Sequence, residues 1–245
     1  MQSTIPVLLP CTPAAWVEYF KANRAALLEI PWHNGPELTE RERRPIERSL
    51  QEFQRGEQSE GHHFFRYAQQ YVARTGDGDY LVALRLFIAE EQRHARELGR
   101  FLTLNGIPLV ERTFADSVFR GLRHVLGALE ISIAVLLTAE IIAQVYYPAL
   151  KDATRSAVLR RICDQIIQDE ERHVQFQSQQ LARLRAGRGR LFLACAMAAQ
   201  TTLFAGTCLV VWFVHAPAFK AGGYGFGRFW RTAWLHFRSA FAPGA

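Results

Sequence analysis

Two short segments of this chain have nearly the same sequence and carry side chains that bind divalent metal ions. They read EEQRH at residues 90–94 and DEERH at residues 169–173, and in each the second acid stands three residues before the histidine. Residues three apart on a helix share one face, so the carboxylate and the imidazole of each segment can reach a single ion. One Glu-x-x-His pair arises easily by chance, but two pairs with matching upstream acids indicate a metal site built from both segments.

Two glutamates elsewhere in the chain are spaced to join these pairs. Glu60 lies 31 residues before Glu91, and Glu140 lies 30 residues before Glu170. If each interval is a helical hairpin, its two glutamates come to the same depth within one turn, at ~1.5 Å per residue. Four helices then present four carboxylates and two imidazoles at one level of a bundle. The predicted ligands are Glu60, Glu91, His94, Glu140, Glu170 and His173.

The residues next to these ligands have predicted roles as well. Glu90 and Asp169 each precede a ligand glutamate, and we expect them to accept a hydrogen bond from a histidine ring N–H and so fix its tautomer. Glu57 shares a helix face with Glu60, and the depth argument favours Glu60 as the ligand, which leaves Glu57 beside the site. His63 is expected nearby, either as a hydrogen-bonded neighbour or as a seventh ligand.

The segments that position these residues are predicted to be helical, because no run alternates apolar and polar residues long enough for a strand. Helix start and stop signals divide the central region into two hairpins, at roughly residues 39–104 and 116–185. The first helix begins either at Thr39, which opens a capping-box pattern, or at Pro45. It is expected to continue without interruption to about Arg74.

The third helix of the predicted bundle is apolar on nearly every side. Residues 125–150 read VLGALEISIAVLLTAEIIAQVYYPAL, a pattern typical of a helix that is buried all round. Glu130 and Glu140 stand within it, and a buried carboxylate needs a proton, a cation or a metal as its partner. The fourth helix is expected to begin at Ser156.

Over about residues 39–180, this constellation resembles the ferritin-like di-iron or di-manganese carboxylate proteins. The resemblance implies an all-α fold, a ferritin-like four-helix bundle, with two Fe ions, or Mn or mixed Fe and Mn, between its helices. Rubrerythrin-like members place their first ligand in a Gly-Glu pair, which Gly56 and Glu57 resemble, so Glu57 and Glu60 both stay candidates. The arginine before each histidine is similar to the DExRH motif of di-iron hydroxylases. Four segments of the sequence resemble bacterial ferritin-like domain proteins of undefined reaction. They are FQRGEQSEG, LFIAEEQRHA, AEIIAQVYYPAL and RFWRTAW.

The function that the resemblance implies is an O2-dependent di-iron oxidase or oxygenase. Such an enzyme hydroxylates, desaturates or N-oxygenates a small organic or lipid-like substrate. An external ferredoxin or reductase is expected to supply electrons, because the sequence contains no flavin or nicotinamide fingerprint. Alternatives are a ferroxidase, a peroxidase or an iron-handling ferritin-like protein, although the chain has no rubredoxin-type CxxC pair and its basic C-terminal third does not suit a storage shell. A tRNA-modifying di-iron hydroxylase is a further alternative.

The C-terminal third is basic and apolar. All 23 acidic residues lie at or before Glu171, whereas residues 174–245 carry eight Lys or Arg and no acid. Residues 191–214 contain no charge, which suits a bilayer span, a fifth helix over the apolar third helix, or a homodimer interface. Residues 227–241 place aromatic side chains on one helical face and arginines on the other, as in an interfacial membrane anchor or a docked terminal helix.

Three segments are predicted along the chain. Residues 1–38 form an N-terminal helical segment, residues 39–186 the ferritin-like bundle, and residues 187–245 the basic, apolar helical extension. In the first segment, Thr12 and Pro13 are expected to begin a short helix that Pro31 ends. A hydrophobic content of 49% excludes a disordered chain. Four dispersed cysteines and an N-terminus without a basic region predict a cytoplasmic protein, with peripheral attachment to the inner face of the membrane left open.

Overall fold

The computed structural model describes residues 12–58, 62–111 and 128–242, without the side chains of His62 and His63. This part of the chain is an all-α helical bundle with eight α-helices and no strand, which confirms the predicted fold class. The helices are α1 (Pro13–Ala25), α2 (Glu40–Glu57), α3 (His62–Thr75), α4 (Gly78–Leu104), α5 (Leu129–Asp152), α6 (Ala157–Arg185), α7 (Arg190–Ala221) and α8 (Phe226–Ala240).

Two of the predicted helix starts are formed by the expected side chains. The Thr39 hydroxyl accepts a hydrogen bond from the Glu42 backbone N–H, and the Glu42 carboxylate accepts one from the Thr39 N–H, which completes the capping box of α2. Pro45 lies inside α2, so the alternative start at that residue is wrong. Ser156 caps α6, because its hydroxyl accepts from the Leu159 N–H at 3.2 Å.

Two helices end earlier than predicted. Instead of one helix to Arg74, α2 ends at Glu57 and α3 begins at His62, with Gln58 outside the helical region at ψ 41°. Gly56 in the last turn of α2 favours this ending, because glycine disfavours a helix by about 1 kcal/mol relative to alanine. The N-terminal helix α1 ends at Ala25 rather than near Pro31. The predicted start of the third helix at Asp116 lies outside the described residues.

Four helices, α2, α4, α5 and α6, surround the centre of the bundle, and α1 lies across α4. The apolar helix α5 is buried as predicted, with Ile133, Leu137 and Ile141 fully inaccessible to solvent. The carboxylate of Glu130 has a charged partner, because the Arg185 Nε atom lies 2.8 Å from its Oε1.

Helix α7 is a fifth helix that covers α5 and α2, one of the arrangements that the sequence left open. Gln200 donates to the Ala134 carbonyl and to the Thr138 hydroxyl, both at 2.9 Å. Further along, the Ser49 hydroxyl lies 2.9 Å from His215 Nδ1. Burial, with a smaller contribution from a nearby arginine, lowers the pKa of His215 to about 4, so the ring is neutral at pH 7. Buried polar contacts therefore fix α7 at both ends of its inner face.

The aromatic face of α8 packs inward rather than facing a membrane. Phe237 lies 4.5 Å and Trp234 5.2 Å from Phe204 of α7, measured between ring centroids. The arginines of α8, namely Arg228, Arg231 and Arg238, are exposed. Of the two predicted roles for this segment, the structure shows the docked terminal helix.

Helices α5 and α7 are both long and apolar enough to cross a membrane. The hydrophobic stretch of α5 is 67% buried inside the bundle, and that of α7 only 33%. Because a buried core helix has the same length and composition as a membrane span, these two helices are weak evidence for membrane association.

Gly222, where α7 ends, lies against the backbone of α5. A Cβ atom at this position would stand 2.1 Å from the Ala149 carbonyl oxygen. We expect Gly222→Ala to push α7 away from α5 and lower the free energy of unfolding by about 1–3 kcal/mol, measured by chemical denaturation. Gly206→Ala is the matched control, because nothing lies within 4 Å of that position and alanine should stabilise the helix by up to about 1 kcal/mol. Equal effects of the two changes would contradict the close approach.

Candidate metal centre

Six buried side chains meet at the centre of the bundle in two overlapping groups, each of which can hold a metal ion. In each group, one potential ligand atom per residue lies within 4.8 Å of all the others. The first group contains Glu57, Glu91, His94 and Glu170, and the second contains Glu91, Glu140, Glu170 and His173. Glu91 and Glu170 belong to both groups, so the two repeated motifs form one site.

The two motifs are joined by hydrogen bonds between their histidines and the acids that precede the shared glutamates. His94 Nε2 lies 2.9 Å from Asp169 Oδ2, and His173 Nε2 lies 3.0 Å from Glu90 Oε2. Each bond links α4 to α6, so each histidine is oriented by the carboxylate of the other motif. A carboxylate can only accept, so the Nε2 atoms carry the protons and both Nδ1 atoms face the centre with a free lone pair when the rings are neutral.

Most of the atoms that face the centre have no hydrogen-bond partner. These atoms are Oε1 of Glu91, Oε1 of Glu140, both carboxylate oxygens of Glu170, and Nδ1 of His94 and His173. A buried polar atom without a partner costs about 1–3 kcal/mol, and more when it is charged. Carboxylate oxygens together with imidazole nitrogens are ligands for divalent iron, manganese and zinc. The residues present therefore fit a metal ion in each group, and a bound cation would give such atoms a partner.

Burial and neighbouring charges shift the pKa values of several carboxylates in the site. Burial, with the nearby charge of Glu91, raises the pKa of Glu57 well above its usual value. Burial and the charge of Glu140 raise the pKa of Glu170 in the same way. Burial opposes the charge of Glu140 as well, but the neighbouring Glu170 and the His173 ring outweigh burial and lower the pKa of Glu140. Without metal, the site therefore retains protons to reduce its own charge.

A set of polar side chains outside the six surrounds Asp169. The Arg93 Nη2 atom lies 2.5 Å from its Oδ2, and the Gln165 amide donates to its Oδ1 at 3.0 Å. Burial raises the pKa of Asp169, but the hydrogen bond from His94 and the positive charges nearby outweigh this effect and lower it. Asp169 therefore stays ionised and keeps its hold on the His94 ring.

Asn23 of α1 connects the two outer carboxylates. Its Nδ2 atom donates to Glu90 Oε1 at 2.7 Å and to Asp169 Oδ1 at 2.8 Å. Sequence reasoning missed this residue, because a lone asparagine in a short helix carries no spacing signal. Its partners Glu90 and Asp169 lie 67 and 146 positions further along the chain, and only the tertiary structure brings them close to Asn23.

From the first helix of the bundle, the described residues bring Glu57 to the candidate metal centre, whereas the depth argument favoured Glu60. Glu57 places its carboxylate in the first group and accepts a hydrogen bond from the Tyr147 hydroxyl, instead of lying beside the site. Glu60 and the side chain of His63 lie outside the described residues. The depth argument assumed one straight helix through this region, and α2 ends at Glu57. The position of the Gly-Glu pair therefore lies at the cluster, and Glu60 stays a prediction.

The surroundings of His173 are apolar on one side and polar along its own helix. The ring of Phe87 lies 4.6 Å and that of Phe20 6.3 Å from the His173 ring. Gln177 and Gln180 follow on the same face of α6 and are 0% and 1% exposed. Neither amide has a hydrogen-bond partner for its nitrogen or its oxygen. These amides extend the polar stripe of the site by two helical turns.

The metal-free protein should lose stability as the pH rises. Glu57, Glu170 and His173 have raised pKa values in the folded state, although burial alone would lower that of His173. Groups with a raised pKa stabilise the fold below their unfolded values, 4.5 for Glu and 6.5 for His, and lose this effect as the pH passes the folded values. Denaturation in the presence of a chelator between about pH 5 and 8 measures the slope.

Two variants test the origin of this slope. Glu170→Gln should flatten it, whereas Glu171→Gln, which changes an exposed neighbour, should leave it unchanged. Added Mn²⁺ should also flatten it, because a bound cation replaces the protons. A metal-free protein whose stability does not change over this range would contradict the buried charge.

Asn23→Ala should weaken metal binding without removing a ligand. The loss of its two hydrogen bonds frees the carboxylates that orient the histidines, and changes at such positions typically reduce metal affinity about 10- to 100-fold. Competition with a chromophoric chelator measures this affinity. Asn34→Ala is the control, because the exposed Asn34 side chain donates to Glu37 and not to a carboxylate of the site. The same affinity in both variants would show that Asn23 does not support the site.

A comparison of the chain with protein-family models, with curated proteins and with solved structures found no match. The described residues themselves show an all-α bundle with a buried Glu/His cluster at its centre that can hold metal.

Proposed function

We propose that this chain is a ferritin-like oxidoreductase with a dinuclear metal centre, two Fe ions or Mn in their place, that uses O2 to oxidise an organic substrate. One observation carries the proposal, the sharing of Glu91 and Glu170 between two ligand groups. Each group also has a carboxylate and an imidazole of its own. Two divalent cations would balance four carboxylates, which removes the electrostatic cost of burying them.

In this chemistry, the side chains of the protein would control the charge of the site and the positions of its protons. When bound, a pair of ferrous ions supplies two electrons to O2 at one place. The Nε2–H groups of His94 and His173 are held by Asp169 and Glu90, which keeps both Nδ1 atoms available as ligands. Tyr147 donates to Glu57, and burial raises the pKa of Tyr147, with the charge of Glu57 as the next cause. Its proton therefore stays on the phenol and fixes the Glu57 carboxylate.

The buried amides of Gln177 and Gln180 support the proposal that the substrate is an organic molecule. They are uncharged donors and acceptors without a partner, one and two helical turns after His173, whose ring lies against Phe87 and Phe20. A molecule with an apolar body and an uncharged polar group, including a lipid-like one, suits such surroundings. Its hydroxylation would consume one O2, two electrons and two protons and release water, with a ferredoxin or reductase as the external electron donor. We propose the cytoplasm as the place of this reaction.

The first test is the number of metal ions per chain. After anaerobic loading with Fe(II) and desalting, we expect about two ions per wild-type chain by elemental analysis. His94→Ala and His173→Ala should each lose about one ion, because each removes a ligand of one group only. Glu170→Ala should lose both, because this residue serves both groups. Glu171→Gln, the exposed neighbour, should keep both.

An O2 pulse to the loaded protein then tests the redox function. The near-ultraviolet absorbance of the wild type should change within the mixing experiment, and that of Glu170→Ala should not. Many irons per chain would show an iron-storage protein instead. Two ions retained by Glu170→Ala would show that the ligand assignment is wrong, and a loaded protein that does not respond to O2 would show that the site is not an oxygen-reducing one.

A further inference from the structure

Helix α7 presents an apolar surface that the bundle leaves uncovered. Its inner face, which includes Gln200, Phe204 and His215, is buried against α5 and α2. On the other side, Leu191 is 79% and Phe213 78% exposed. The large apolar side chains exposed on this side of α7 include Leu191, Phe192, Leu209, Val210 and Phe213. We call this set the outer face of α7.

The outer face has positive charge at both ends and none between them. Residues 191–219 contain no Lys, Arg, Asp or Glu. Arg188 and Arg190 precede this stretch, Lys220 follows it, and all three are exposed. The Arg188 guanidinium lies 5.3 Å from the centre of the Phe192 ring, so a cation stands at the edge of the apolar surface. At ~1.5 Å per residue, the helix is about 48 Å long.

This charge pattern distinguishes between the two partners that suit an apolar helix face. In a symmetric dimer the same patch lies on both sides of the interface. Either orientation of two outer faces would then bring basic ends together, and residues 174–245 offer no acid to pair with them. A bilayer that contains anionic lipid offers both a hydrocarbon layer for the apolar residues and negative headgroups for the ends.

We propose that the outer face of α7 binds the surface of an anionic lipid bilayer, with the helix lying along the interface and its inner face still on the bundle. The aromatic face of α8 remains folded against α7 and takes no part. The buried hydrogen bonds of Gln200 hold α7 in place, so the surface is formed without any rearrangement. This interaction is independent of the proposed oxygen chemistry.

Vesicle flotation of the full-length protein tests the proposal. The wild type should float with vesicles of phosphatidylcholine and phosphatidylglycerol, and far less with phosphatidylcholine alone. Leu191→Glu combined with Phe213→Glu should reduce the bound fraction at least about tenfold. Val82→Glu combined with Leu109→Glu is the matched control, because it changes two exposed apolar residues elsewhere, at 44% and 52% exposure, and should float like the wild type.

A second pair of variants tests the basic ends. Arg188→Gln combined with Arg190→Gln should weaken binding to the anionic vesicles about 20- to 30-fold, since each basic residue contributes about fivefold. Arg74→Gln combined with Arg85→Gln changes exposed arginines of α3 and α4 and should have little effect. Circular dichroism and the metal content of each variant show that the bundle is intact.

Three results would overturn the proposal. The first is a wild type that stays with the unbound protein at low salt. The second is flotation of the Leu191→Glu, Phe213→Glu variant at the level of its control. The third is a wild-type dimer in sedimentation velocity that this variant dissociates while vesicle binding is absent, which would make a second copy of the chain the partner of the outer face.

Discussion

The rest of the bundle is organised around the burial of four carboxylates within a few ångströms of one another. Glu57, Glu91, Glu140 and Glu170 come from four different helices, and each is at least nine-tenths buried. Like charges at this separation repel strongly where the dielectric constant is low. The hydrogen bonds around the site, from Tyr147 and across the two motifs, keep these groups in position against that repulsion. The fold therefore requires positive charge at the centre of the bundle, supplied either by protons or by metal.

The sequence predicted the kinds of side chain in this centre better than their exact positions along the chain. The two motifs are visible because a helix repeats every 3.6 residues, so their spacing alone puts Glu and His on one face. Glu140 was predictable because a charge in an apolar helix demands a partner. The choice between Glu57 and Glu60 depended on where α2 ends, and helix ends are set by a few local dihedral angles that a pattern of apolar residues does not encode.

Sequence reasoning missed the contacts of residues that belong to no periodic sequence pattern. Asn23 joins two carboxylates on two other helices, and no repeat or motif in α1 marks it. The inward orientation of the α8 aromatic face was open as well, because an amphipathic helix has the same pattern whether it faces lipid or protein. Only the partner helix, with Phe204 on α7, decides between them.

Because a carboxylate of each motif orients the histidine of the other motif, the two halves of the bundle are interdependent. The histidine of the first hairpin is oriented by Asp169 of the second, and the histidine of the second by Glu90 of the first. A hairpin on its own would hold neither ring in one tautomer, although it contains a complete Glu-x-x-His pair. Separating the two hairpins would therefore remove the orienting carboxylate from both histidines at once.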